Sequence, residues 1–120
     1  MRFVCFIHTD PRDIAAISEA DHRRIVNEHF AFDKAITASG HHLVSEALDE
    51  PEFAVTIRRS TGGVTVHDGP FAETREHIGG FYLLEAADLD EAVRIASGIP
   101  SLQHSVVEVR PVRLLVADGN

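Results

Sequence analysis

Cysteine is almost missing from this chain of 120 residues: Cys5 is the only one, which rules out an internal disulfide and any multi-cysteine zinc site. Cys5 sits inside an apolar stretch, where a free thiol acts as a small buried hydrophobe, not a nucleophile. Basic residues are also few. Lys and Arg total 11 against 19 Asp and Glu, a formal net charge of −8 that repels a phosphate backbone and argues against nucleic acid as a partner. No apolar run approaches the roughly 20 residues that a membrane-spanning helix needs, so no membrane association is expected. Residues 1–7 hold a short apolar run that meets His8, Thr9 and Asp10 at once without a small-residue cleavage site, so they read as a first strand and not a signal peptide. A cytoplasmic protein is expected. Repeats, linkers and low-complexity segments are missing too.

A length of 120 residues suits one domain with one core, and 44% hydrophobic with 25% charged residues is ordinary for a globular protein. Strand periodicity at 2–7 gives way to a polar break at 9–13. From 18 to 39 the spacing of Ile25, Phe32 and Ile36, widened by Val26 and Phe30, predicts a helix that Gly40 ends. A short strand at 43–44 follows, then a hairpin from 53–58 to 64–67 turning at Thr61-Gly62-Gly63. Residues 81–85 form a further strand. Asp88 with Glu91 makes a capping-box-like start to a second helix, stopped by Gly98 and Pro100, and 105–110 is a last strand ended by Pro111. This order suits two helices on one face of an antiparallel sheet. Both sides of strand 81–85 are apolar, so a second sheet, most economically from an identical subunit, is expected to cover the other face.

The most constrained segment runs from Asp68 through Gly69, Pro70, Phe71, Ala72, Glu73, Thr74 and Arg75 to Glu76, closed by Gly79 and Gly80. Pro70 fixes its own φ and pushes Gly69 towards extended geometry, so the loop is stiff before any tertiary contact forms. Two readings stand side by side: a capped turn in which Asp68 bonds its own backbone, and a ligand-facing loop. In the second, Pro70, Phe71, Glu73 and Arg75 bind the ligand, with the planar fork of Arg75 suited to a carboxylate; in the first, Arg75 pairs with Glu73 or Glu76 on the surface. Gly79-Gly80, like Gly62-Gly63, reads as turn geometry, since neither pair has phosphate-loop spacing or a following lysine.

His29 falls four residues after Ile25 and three before Phe32, which places it on the apolar side of the first helix, facing the sheet. There it is either a core histidine with satisfied nitrogens or a proton shuttle. His41-His42 and His104 have no third ligand at suitable spacing, so no metal and no cofactor is expected. His67 precedes Asp68 and points to the other side of its strand; His77 faces solvent. No serine lies in a nucleophile-elbow setting.

Taken together, Asp68-Gly69-Pro70-Phe71 with Glu73 and Arg75-Glu76, Gly79 to Leu83, Asp88 to Ala92, and Glu108-Val109-Arg110-Pro111 resemble the DGPF branch of the YCII-related proteins. The resemblance implies a YCII-type domain over 1–111 with a C-terminal extension at 112–120. It also implies a small bacterial protein with a ferredoxin-like α+β fold of the dimeric α/β-barrel type, often encoded beside extracytoplasmic-function sigma factors. In that family a first-helix histidine belongs to a proposed active site, and His29, eleven residues before Gly40, matches it. The aspartate that accompanies it near the end of the second helix has no counterpart here, where the chain reads Ser97-Gly98-Ile99-Pro100. The orienting carboxylate is therefore assigned to Asp68, with Glu73 or Glu76 behind it, in a pocket between the first helix, the hairpin and the loop. The expectation is a homodimer that carries out cofactor-free proton transfer on a small molecule, such as isomerisation or elimination, with His29 and Asp68 as catalytic pair. The alternative is a non-catalytic module that binds a small ligand or a protein in sigma-factor regulation.

Overall fold

Period-two alternation in the first strand, β1 (Arg2–Thr9), sends Phe3, Cys5 and Ile7 to one side, all at most 6% exposed. In the computed structural model, which describes residues 1–72 and 74–118, that side is roofed by two helices. These are α2 (Glu19–Ala38), which contributes Phe32 and Ile36, and α3 (Leu89–Ala96), which contributes Ala92, Ile95 and Ala96. Tyr82 and Leu84 from β5 (His77–Glu85) complete the layer, with Val107 and Val109 of β6 (Val106–Pro111) packed against it. Burial pushes the Cys5 thiol up to about 11, consistent with an inert core residue.

The four-stranded sheet is antiparallel in the order β2-β5-β1-β6, where β2 is His42–Ala47. With the hairpin of β3 (Val55–Ser60) and β4 (Gly63–Asp68) set aside as an insertion, the spatial order is that of a ferredoxin-like α+β fold, each helix crossing between strands that are not neighbours. The hairpin forms its own two-stranded sheet, with Val55 opposite Asp68 and Ser60 opposite Gly63. It projects from the body: the radius of gyration is 16.9 Å, against roughly 14 Å for a compact chain of this length.

Both long helices begin on the caps that their sequences supply. Ser18 accepts from the Asp21 amide at 3.1 Å; Asp88 accepts from the Glu91 amide at 2.9 Å, while the Glu91 carboxylate reaches back to the Ala87 amide. Two segments differ from the sequence reading. The polar break contains a short helix, α1 (Pro11–Ala15), nucleated by Asp10 as cap and Pro11 at its first position. Gly79 and Gly80 lie inside β5, not in a turn. A β-carbon on Gly80 would stand 3.0 Å from the Glu46 carbonyl oxygen, and one on Gly79 would stand 2.8 Å from the Thr9 hydroxyl. The glycines thus serve close approach of neighbouring strands. Gly79 is also the extra residue of a bulge, since Ile7 pairs with Gly80 while His8 pairs with Ile78.

The face turned away from the helices carries Val4, Phe6, Phe81 and Leu83, all half-buried. Past Pro111 the Val112 amide makes one more bond to the Arg2 carbonyl at 2.9 Å, after which Leu114, Leu115 and Val116 stand about 80% exposed. No helix among the described residues is long and apolar enough to cross a membrane. Leu84→Ala, at a site with no exposure, is expected to cost about 2–5 kcal/mol in urea unfolding, whereas Lys34→Ala on the solvent side of α2 should stay within about 0.5 kcal/mol.

Candidate functional site

His29 sits in the middle of α2, half-buried, and both of its ring nitrogens meet side chains from elsewhere in the chain. Nδ1 lies 2.9 Å from the Tyr82 hydroxyl on β5; Nε2 lies 2.5 Å from the Ser101 hydroxyl, in the helical turn Pro100–Gln103 that follows α3. Tyr82 in turn donates to the Asp33 carboxylate at 2.5 Å, one helical turn beyond His29. A phenol has a single proton, and here it is directed at Asp33. The Tyr82 oxygen therefore faces His29 with a lone pair, Nδ1 carries the imidazole proton, and Nε2 is left as the basic nitrogen that accepts from Ser101. A directed chain of hydrogen bonds results: Ser101 to His29 to Tyr82 to Asp33.

The environment sets the protonation of this chain. Burial holds the His29 pKa below its ordinary value against the opposing pull of Asp33, so the ring is neutral near pH 7. Burial, and then the hydrogen bond to Asp33, push the Tyr82 phenol up, so it keeps its proton. The rings are packed as well as bonded: Tyr82 stacks at 15° to His29 and meets Phe32 edge-on at 5.6 Å. Ser101 is only 9% exposed. The arrangement has one neutral base with a fixed tautomer, one hydroxyl held on it, and a carboxylate behind.

The stiff loop lies elsewhere. The Gly69–Pro70 peptide is trans, and Gly69 adopts φ +102°, a left-handed geometry open to glycine and not the extended one expected ahead of proline. The loop is tied to the hairpin base by the Gly69 amide to Ala54 at 2.7 Å and by Thr56 to the Gly69 carbonyl at 2.8 Å. Arg58 stacks over Phe71 at 4.9 Å. Pro70, Phe71 and Arg75 line an open groove of about 770 Å³ together with Leu48, Phe53, Ile78 and His8. His8 is held by Glu108 at 2.9 Å, and Arg110 reaches the same carboxylate at 2.7 Å.

Three of the four residues read as ligand-binding thus share one groove; the fourth, Glu73, lies outside the described residues. The groove takes no residue from α2, so it is not the pocket expected between that helix, the hairpin and the loop. His29 and Asp68 are not brought together within the chain. Asp68 ends β4 in the separate two-stranded sheet, opposite Val55, while the partners of His29 are Tyr82 and Ser101. The carboxylate behind the histidine is Asp33, and the sequence held a signal for it: positions four apart on a helix share a face. Tyr82, the one tyrosine, and Ser101 had no such signal, because 53 and 72 residues separate them from His29. Three of the other histidines have scattered partners: His41 on the Glu85 carbonyl, His42 on Ser45 and His104 on Ser105.

A buried neutral histidine has a consequence for pH. His29 and His104 both have folded pKa values lowered by burial, so below about 6.5 the unfolded chain binds more protons than the native one. Stability present at pH 7.5 should therefore fall as pH drops through 6.5 towards the folded values. Thermal unfolding at pH 7.5 and 5.5 should show this loss, reduced in His29→Gln, and nitrogen NMR should find His29 protonated at Nδ1 and not at Nε2.

The YCII-related domain pattern matches residues 1–115 of this chain. An uncharacterized protein of Rhizobium meliloti (strain 1021) is 33% identical over 116 residues, 95% of this chain and 94% of that protein. The match therefore takes in both helix crossovers, the inserted hairpin and every residue of the His29 chain and the groove. On that coverage the chain belongs to the YCII-related family.

Proposed function

We propose that this protein is a cofactor-free enzyme that transfers a proton on a small molecule, an isomerisation or an elimination, with His29 as general base. The observation that carries the reading is the hydrogen-bond chain that ends at Asp33 and leaves Nε2 of His29 basic. A base works best when it is neutral at the operating pH and its lone pair has one direction; burial supplies the first and Tyr82 the second. The Ser101 hydroxyl occupies the position that an acidic C–H or O–H of a substrate would take, so the substrate enters by displacing Ser101 or by passing its proton through it. Asp33 takes the orienting role assigned from the sequence to Asp68. Asp68, with Pro70 and Phe71, instead supports assignment to the DGPF branch of the family.

Deuterium exchange tests this across a whole class of substrates at once. A panel of small carbon acids, including 2-oxo acids, 1,3-diketones and hydroxylated cyclohexadienones, is incubated with protein in D2O and followed by proton NMR. At least one member should exchange faster with the wild type than with His29→Gln, with Tyr82→Phe and Asp33→Asn reducing the rate by about 10²–10⁴-fold, the usual contribution of positioned acid–base groups. Equal exchange with wild type and His29→Gln across the panel would reject the reading.

The working form in this proposal is a homodimer. Four β-branched residues share one face of the hairpin, Val55, Ile57, Val64 and Val66, each 56–67% exposed, and the face of the main sheet turned away from the helices is only half-buried. Such patches mark interfaces. Sedimentation at micromolar concentration should give a dimer, and truncation after Pro111 should weaken it if the apolar tail meets the partner subunit; a monomer would remove the interface. A second reading, a non-catalytic ligand-binding module, is favoured by the groove, whose size falls in the range of small-molecule sites.

A further inference from the structure

Among the described residues, the titratable groups that line the groove at the end of the sheet, apart from Arg75 and the histidines His8 and His77, are acids: Asp49, Glu50 and Glu76. His8 Nε2 meets Glu108 at 2.9 Å, and the Arg110 guanidinium and His8 hold that carboxyl below its ordinary value. Arg75 is the one groove-lining guanidinium among the described residues, and its field already falls on the Asp10 carboxylate. The walls are apolar and partly aromatic: Phe53 and Phe71 are 66% and 72% exposed, and Phe71 already carries a cation, Arg58, over its ring.

We propose that this groove is a binding site for a small organic ammonium ion with a flat apolar body, such as an aralkylamine. The acceptor-rich rim takes the ammonium protons, and the phenyl rings of Phe53 and Phe71 take the body, with their faces favourable to positive charge. Crowding of like charge supports the sign. Glu52 and Asp49 raise the Glu50 carboxyl above its ordinary value, a strain that an incoming cation relieves and an anion would worsen. The proposal rests on the ligand-module reading of the groove and not on His29, which bonds to the helix-side residues Tyr82 and Ser101.

The test is calorimetric titration of the full-length protein at low salt with three isosteric probes: 2-phenylethylammonium, 2-phenylethanol and phenylacetate. The ammonium ion should bind about tenfold more tightly than the alcohol, as expected for two or three exposed charge pairs, and phenylacetate should bind more weakly than either. Raising the salt should erase the advantage. Asp49→Asn with Glu50→Gln should reduce the ammonium affinity to that of the alcohol while leaving the alcohol unchanged, and Phe71→Ala should weaken both. His29→Gln should leave all three affinities as they are. Tightest binding of phenylacetate would make Arg75 the anchor and the ligand an acid. Equal binding of the three would leave an apolar groove without charge preference. Failure of all three at 10 mM, roughly the weakest affinity a site of use would show, would remove both the ammonium assignment and the ligand-module reading. Each of these last three results overturns the proposal.

Discussion

The hydroxyl of Tyr82 is the point on which the helix-side architecture turns. Its ring is 3% exposed in the core between β5 and α2, and a phenol buried there without partners would cost more than its packing returns. Asp33 and His29 satisfy it, one as acceptor and the other as donor. Because both lie on α2, a turn apart, the same two bonds dock the helix on the sheet in one register and fix the imidazole tautomer. Ser101 then closes the chain from the turn after α3, so three separate elements are tied at one ring. Stability and candidate chemistry thus share the same atoms.

Strand alternation divides the molecule into two working faces. Tyr82 and Leu84 point to the helices, while Phe81 and Leu83 point away. The bulge at Gly79 changes the phase of β5 just after the loop, and Ile78 comes to lie beside His8 at the sheet end where the groove opens. The proton-transfer chain and the groove therefore belong to different surroundings: one is drier and closed by packing, the other open and rich in carboxylates. Their electrostatics differ accordingly. Burial dominates at His29, and like-charge crowding dominates at Glu50.

The inserted hairpin is the least self-sufficient part of the chain. An isolated two-stranded ribbon is marginal in water, and the loop contacts of Gly69, Thr56 and Phe71 brace the base of this one. Its valines and isoleucine are 56–67% exposed, and Leu114, Leu115 and Val116 after Pro111 are 79–83% exposed, apolar surface of the kind that marks interaction sites.

Much of the fold was legible in the sequence because its signals are local. Period-two and period-3.6 spacing located the main strands and both long helices, Ser18 and Asp88 marked helix starts, and Thr61-Gly62-Gly63 marked the hairpin turn. The sequence also placed His29 on the sheet side of its helix and Pro70, Phe71 and Arg75 in one stiff loop. Local signals mislead where a residue answers to a distant neighbour. Gly79 and Gly80 read as a turn, yet they are strand residues whose missing side chains make room for Thr9 and Glu46. Asp68 is the prominent carboxylate of its loop, but which carboxylate stands behind His29 depends on how α2 packs on β5, and that packing selects Asp33. Only tertiary structure could decide it, because hydrogen-bond partners are chosen by proximity in space, and the chain separates Ser101 from His29 by 72 residues.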